Sequence, residues 1–381
     1  MALNDSTCLV VGGGIGGLAT ALALRHHGAQ VTVLEQADAL REVGAGLQIS
    51  PNGLCVLRAL GLEDAARAAG LALQSVSLRD ENDGREVLAL DLTGRADYLA
   101  LHRADLLGLL GQAARDAGIE MALGQRVTGV IPGAPAQVLL DGAVRKADLV
   151  VGADGLHSVL RPVLNGQSAP FFTGQVAWRA VVDNIAGHAP QARVHMGPGR
   201  HLVSYPLRGG RLVNLVAVQE RKTWADEGWH HRDDPANLRA AFAGACADVR
   251  GLLAQVEDPG LWGLFRHNVA RVWQADGVAL VGDAAHPTLP FLAQGANLAL
   301  EDAWVLAACL GQGSTLAEYQ SLREGRVRKV IAAANGNAWK YHLRPGPVRS
   351  LAHLGLRTAG RFAPSRITGQ FDWLYGHDVT R

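Results

Sequence analysis

The strongest constraint on this chain is a glycine turn set between two apolar runs. Residues 8–11 (Cys-Leu-Val-Val) read as a short buried strand that breaks at Gly12. An Ala- and Leu-rich segment, 15–27, reads as a helix with Gly28 as its stop. A second apolar run, 31–34, ends at Glu35. The pattern predicts a βαβ unit with Gly12, Gly14 and Gly17 in its first turn. In such a unit the first glycine permits the tight turn. The second lets a pyrophosphate approach the backbone, and the third lets helix and strand pack closely. The helix N-terminus offers free N–H groups to phosphate. Glu35 lies 18 residues past Gly17, where a carboxylate can accept from a ribose diol. The competing reading is a plain glycine-rich turn with Glu35 solvated at a strand end. The motif does not by itself separate FAD from NAD.

Composition narrows the class. The chain has 381 residues, 48% hydrophobic and 19% charged, enough for two or three domains around a sizeable core. A net charge of +1 points to neither nucleic acid nor an anionic membrane surface. Cys8, Cys55, Cys246 and Cys309 lie far apart, with no CxxC and no metal-ligand spacing. They read as free thiols of a reducing compartment, and the expected location is cytoplasmic. The uncharged stretch 6–24 contains five glycines and follows Asn4 and Asp5, so the βαβ reading accounts for it better than a leader or a membrane span. His286 has no partner at metal spacing, and no metal site is expected.

Further along, Ser50-Pro51 reads as an N-cap and first helical residue, with the helix running to Leu60 and stopping at Gly61. Strand-like runs follow at 74–79 and 86–91 across an Asp83-Gly84 turn. A helix led by 101–103 ends near Gly118, and an apolar run at 149–151 follows. From 171 to 219 the runs 176–182, 193–196, 201–207 and 212–219 predict an antiparallel sheet. A helical stretch is expected over 236–256, then a strand at 277–281, a helix at 295–310 and a mainly helical tail from 314.

Three stretches then align with the βαβ unit. Asp154-Gly155 closes one buried run, Gly282-Asp283 closes another, and Pro290-Phe-Leu-Ala-Gln294-Gly-Ala-Asn297 opens a helix followed by Glu301-Asp302. Together with Ala177-Trp178-Arg179 and the C-terminal stretch 371–378, they resemble the single-component FAD-dependent aromatic hydroxylases, the p-hydroxybenzoate hydroxylase class of flavoprotein monooxygenases. The stretch Leu292-Ala293-Gln294-Gly295 is most similar to the salicylate and 3-hydroxybenzoate hydroxylase branch. The resemblance covers nearly the whole chain.

The resemblance implies roles for particular residues. Asp283 would bind the FAD ribityl chain. Gly295, Ala296 and Asn297 would present a helix start to the flavin, where N–H groups stabilise the charge of its reduced form. Arg41 and Arg103 match positions near the FAD phosphates and ribose, with an ordinary surface arginine as the alternative for each. Asp154 matches the family's Asp-Gly fingerprint, with a turn carboxylate as the alternative. Ile15, Gln36, Gly46, Gln48, Gly282 and Pro290 complete the implied cofactor contacts, and Gln48 could face substrate as well. His201, Val203 and Tyr205 alternate on one strand face, with His201 and Tyr205 about 13 Å apart. That spacing resembles a substrate-facing His and Tyr of this branch; the alternative is a strand-end His201 and a core Tyr205. Gln294 is the third residue expected to contact substrate. Arg179 could serve the substrate or the fold.

The expected fold class is therefore α/β. It comprises a Rossmann-like FAD-binding domain (1–72, 98–170 and 268–335), an inserted antiparallel-sheet substrate domain (73–97 and 171–267) and a helical C-terminal segment (336–381). The expected activity is hydroxylation of a small hydroxyaromatic acid with NADH or NADPH and O2, through a flavin C4a-hydroperoxide. The expected partners are the aromatic substrate, O2 and a transient NAD(P)H, since no second GxGxxG follows a strand. No nucleic acid and no transmembrane segment are expected, and a homodimer is left open. The Trp-x-Trp-x-Ile-Pro signature of flavin halogenases is missing. Rival readings are a same-fold monooxygenase for a quinone precursor or polycyclic compound, and a non-catalytic FAD-binding protein.

Overall fold

A computed structural model of the chain describes residues 3–40, 45–93, 98–222, 231–363, 367 and 369–381. The first turn forms as its residues dictate. Strand Thr7–Val11 runs into helix Ile15–His26 and strand Gln30–Leu34, and the first strand pairs in parallel with the second. Gly28 ends the helix with φ +92, a conformation that side chains disfavour. The six-stranded sheet has the order Gln274–Ala275, Val278–Leu280, Leu149–Gly152, Thr7–Val11, Gln30–Leu34, Glu120–Ala122. Its central strands are parallel and buried on both faces, which explains their unbroken apolar runs. Helix Gly295–Gly311 packs against Ile15–His26 beneath this sheet, so the ends of Thr7–Val11, Leu149–Gly152 and Val278–Leu280 open toward one side.

The second layer is a seven-stranded sheet. Its order is Gly260–Arg266, Phe171–Asp183, Leu212–Glu220, Arg200–Leu207, Gln191–Gly197, Ser75–Asp80, Glu86–Asp91. The two early strands thus join those after 171. The sheet is not wholly antiparallel as expected: Gln191–Gly197 and Ser75–Asp80 pair in parallel, because the long connection between them leaves their relative direction free. One face packs on Pro235–Ala241 and Ala247–Ala254 through Trp178, Phe242 and Leu253. These are two helices rather than the single one expected over 236–256. The break is fixed by buried Phe242 and by the Cys246 amide donating to the Glu81 carbonyl at 2.7 Å.

The tail is helical, as expected, with Leu316–Tyr341, Pro347–Phe362 and Asp372–Tyr375. No break falls at 336, where the sequence predicts a boundary. Helix Leu316–Tyr341 runs through it, anchored by Arg323 and Arg326 to the buried carboxylates of the preceding helix. None of the helices among the described residues is long and apolar enough to cross a membrane.

Candidate active site

A cavity of about 710 Å³ lies between the two sheets. One wall is the glycine turn. Gly12 has φ +106, and a Cβ there would sit 2.5 Å from the Ala153 carbonyl oxygen. A Cβ on Gly17 would meet the Gly12 carbonyl oxygen at 1.9 Å, so close packing demands glycine. At Gly14 a Cβ would meet no atom within 4 Å. The turn is therefore open at the position where a phosphate would approach, and the residues fit a dinucleotide. Gly12, Gly14, Ile15, Glu35, Gln36, Gly46, Gln48 and Arg103 all line the cavity. Glu35 accepts the Gly13 amide at 2.6 Å and the Ala37 amide at 2.8 Å, which steadies its carboxylate over the turn.

Beside the turn, Asp154, Gly282, Asp283, Pro290, Gly295 and Ala296 form the floor of the cavity. Asp283 is surrounded by protein, yet its side chain opens into the cavity. Its surroundings raise its pKa, while His286 and Arg103 pull the other way. Asp154 accepts the Val159 amide at 2.8 Å through Oδ2, and its buried Oδ1 has no partner. Burial raises the pKa of this carboxyl too. Arg41 lies outside the described residues.

The other wall comes from the seven-stranded sheet. Ala177, Arg179, His201, Val203, Tyr205, Val216 and Val218 share its inner face. His201 and Tyr205 are both buried and both reach the cavity, as their alternation predicts. Tyr205 bonds Gln48, and burial keeps its phenol protonated well above the ordinary range, against the pull of Arg179. The Arg179 guanidinium sits over the Trp262 ring, 5.4 Å from its centre. A polar pair at the rim and a valine-lined slot between is a shape that takes a flat ring with polar substituents.

One expected contact differs. Gln294 does not line the cavity: its amide donates to Ser50 Oγ at 3.0 Å and accepts from Asn52 at 3.0 Å. A buried amide must satisfy its polar atoms, and Ser50 and Asn52 offer them in the core. The Asn297 side chain also turns inward, accepting the Ser50 amide at 3.0 Å and donating to the Gln48 and Ala293 carbonyls, while its backbone N–H stays in the first turn of helix Gly295–Gly311, the position expected of it. Gly17 packs against Gly12, the close contact expected of the third glycine, and is set back from the cavity. Ser50 holds the N-cap position, but its hydroxyl donates to Asn52 and makes no cap bond.

The sequence reading also missed a buried ionic cluster under the floor. Asp302 binds His286 at 2.5 Å and Arg323 at 2.7 Å, while Glu301 binds Arg323 at 2.6 Å and Arg326 at 2.7 Å. Burial pushes the Asp302 carboxyl up, but His286 and Arg323 overcome it and hold it down at about 2. The pairing of Glu301-Asp302 with arginines a helix away has no local sequence signal. His342 and Glu220, which meet at 2.9 Å behind His201, were missed for the same reason. Among the described residues no cluster could hold a metal ion.

The sequence matches the family described as FAD binding domain over residues 5–334. It is 34% identical to a 3-amino-4-hydroxybenzoate 2-monooxygenase of Streptomyces platensis, covering 97% of this chain and 96% of that protein. It is 34% identical to a 3-hydroxybenzoate 6-hydroxylase of Klebsiella oxytoca, again over 97% and 96% of the two chains. Its fold matches a salicylate hydroxylase substrate complex with a TM-score of 0.85 at 24% identity, over 99% of this chain and 97% of the other.

Proposed function

The chain belongs to the FAD binding domain family and is an FAD-dependent monooxygenase, and from that premise we propose that it hydroxylates a small aromatic acid already bearing a ring hydroxyl. The observation that carries the substrate reading is the sheet wall, where Arg179, His201 and Tyr205 stand among valines across from the glycine turn. The relatives named for hydroxybenzoate substrates support it. Arg179 offers a charge-assisted partner to a carboxylate, and the valines flank the ring. His201 accepts the phenol proton at Nε2, and Tyr205 donates to an oxygen of the substrate. Gln294 supports the floor rather than touching substrate.

FAD, when bound and reduced by NAD(P)H, supplies the activation of O2. Gly12, Gly14, Ile15, Glu35 and Gln36 would hold its adenosine and pyrophosphate end, Arg103, Asp154 and Asp283 would bind along its chain, and Gly46, Gln48, Pro290, Gly295, Ala296 and the Asn297 N–H would hold the flavin end. The substrate wall excludes water from the reacting face. O2 and a transient NAD(P)H complete the partners, and the location is cytoplasmic, a reading supported by four buried free thiols. The test is a panel of hydroxyaromatic acids scored for stimulated NADH oxidation, with product identified. Stimulation by a hydroxybenzoate with ring-hydroxylated product supports the reading. Stimulation only by a polycyclic compound or quinone precursor overturns it.

A further inference from the structure

A line of three titratable side chains leads from the cavity to solvent. His201 Nδ1 lies 2.7 Å from His342 Nε2, and His342 Nδ1 lies 2.9 Å from Glu220 Oε1. His201 lines the cavity and is 2% exposed, whereas the Glu220 side chain is 45% exposed. The line therefore begins at a buried side chain on the cavity wall and ends at the protein surface. We propose that His342 and Glu220 carry the proton taken from the substrate phenol at His201 out to solvent. The proposal rests on the reading above, that a phenol is bound beside His201.

The hydrogen bonds fix one direction of transfer. The Glu220 carboxylate can only accept, so His342 carries its proton on Nδ1 and presents a lone pair at Nε2. That lone pair in turn requires the Nδ1–H tautomer of His201, leaving its Nε2 as the basic nitrogen for the cavity. The phenol O–H bond breaks as His201 Nε2 gains a proton. His201 Nδ1 passes its own to His342 Nε2, and His342 Nδ1 passes its own to Glu220 Oε1. Glu220 then releases that proton to solvent water, and the two imidazoles return to the Nδ1–H form before the next turnover; one proton has entered and one has left, no electrons move, and the phenolate remains in the pocket.

Two features make relay rather than storage the natural role. Burial and the neighbouring His342 hold the pKa of His201 well below that of free histidine, and burial lowers His342 as well, against the pull of Glu220. Both shifts favour the neutral imidazole, which carries a single N–H. His342 also follows the last turn of helix Leu316–Tyr341, where the C-terminal dipole end favours a passing positive charge. The geometry is pinned by one turn: the Gly199 amide donates to the His342 carbonyl at 3.2 Å, and the Glu220 amide donates to the Gly199 carbonyl at 2.9 Å. Among the described residues, the titratable groups facing His201 are His342 and Tyr341, the latter held protonated by burial. Met196, Val218 and Phe291 on its other sides do not titrate. His342 faces His201 and Glu220.

The test uses FAD-loaded protein with labelled histidine ring nitrogens, and 3-hydroxybenzoate as probe. The expected NMR result is the Nδ1–H tautomer at both His201 and His342, lost at His342 in Glu220→Leu. In Glu220→Gln the amide oxygen still accepts, so the tautomers persist, but the terminus can no longer take a proton. Stopped-flow absorbance should then show phenolate appearing on the order of ten-fold more slowly, a smaller loss than removing the base itself. The residual rate should rise with pH as hydroxide replaces the relay. Either histidine in the Nε2–H form overturns the proposal, as does an unchanged rate and pH profile in Glu220→Gln. If the unaltered protein does not oxidise NADH with 3-hydroxybenzoate, the substrate reading fails for that acid, and the tautomers alone decide the relay.

Discussion

The Gly282 amide donates to the Asp302 carboxylate at 2.9 Å, tying the strand end that carries Asp283 to the helix beneath it. Gly282 turns with φ +58, and Asp302 is held ionised by His286 and Arg323. The cofactor floor is thus braced by a buried charge cluster rather than by apolar packing alone.

That brace should be visible in acid. In the folded protein His286 and Arg323 hold the Asp302 carboxyl down at about 2, below the ordinary aspartate value of 3.8. Its contribution is complete above the unfolded value and is lost as pH falls through the folded one. Thermal unfolding against pH should show a decline across that window. Arg323→Met should destabilise by about 3–5 kcal/mol, because it removes the buried cation that Glu301 and Asp302 share and leaves them only His286 and Arg326. It should also move the decline to higher pH, and an unchanged acid profile would remove Asp302 from the stability account.

Asp283→Ala should weaken FAD binding by roughly ten- to a hundred-fold, the loss of a hydrogen bond to a charged group worth about 1.5–3 kcal/mol. Quenching of flavin fluorescence on titration measures it. Unchanged affinity would mean the carboxylate does not meet the cofactor.

Gly14→Val should abolish FAD binding and leave the fold standing. A Cβ at this position meets no atom within 4 Å, so the apoprotein tolerates the branch point. Circular dichroism should match the unaltered apoprotein while the purified variant is colourless. A yellow, fully loaded variant would move the phosphates elsewhere.

Gln294→Ala and Tyr205→Phe should part company. Gln294 bonds Ser50 and Asn52 inside the core, so its loss should cost about 1–3 kcal/mol of stability with little change in the ratio of product to NADH. Tyr205 reaches the cavity, so its variant should lower that ratio and release hydrogen peroxide. The reverse pattern would return Gln294 to the substrate site.

The division between these two residues shows what a sequence can carry. The βαβ unit was legible because glycine spacing, strand period and helix stop are local signals. Alternation placed His201 and Tyr205 on one face for the same reason. The direction of Gln294 was not legible, since it depends on Ser50 and Asn52 more than two hundred residues away. The parallel join of Gln191–Gly197 with Ser75–Asp80 depends equally on long-range placement. His342 reaches His201 only because the tail helix folds back over the sheet.

The most direct measurement of the central claim is the ratio of hydroxylated product to NADH consumed, with isotopically labelled O2 and 3-hydroxybenzoate or 3-amino-4-hydroxybenzoate as substrate. The account predicts stimulated NADH oxidation, a ratio near one, and label on the new ring oxygen. No stimulation by any hydroxyaromatic acid, or product oxygen drawn from water, would contradict it.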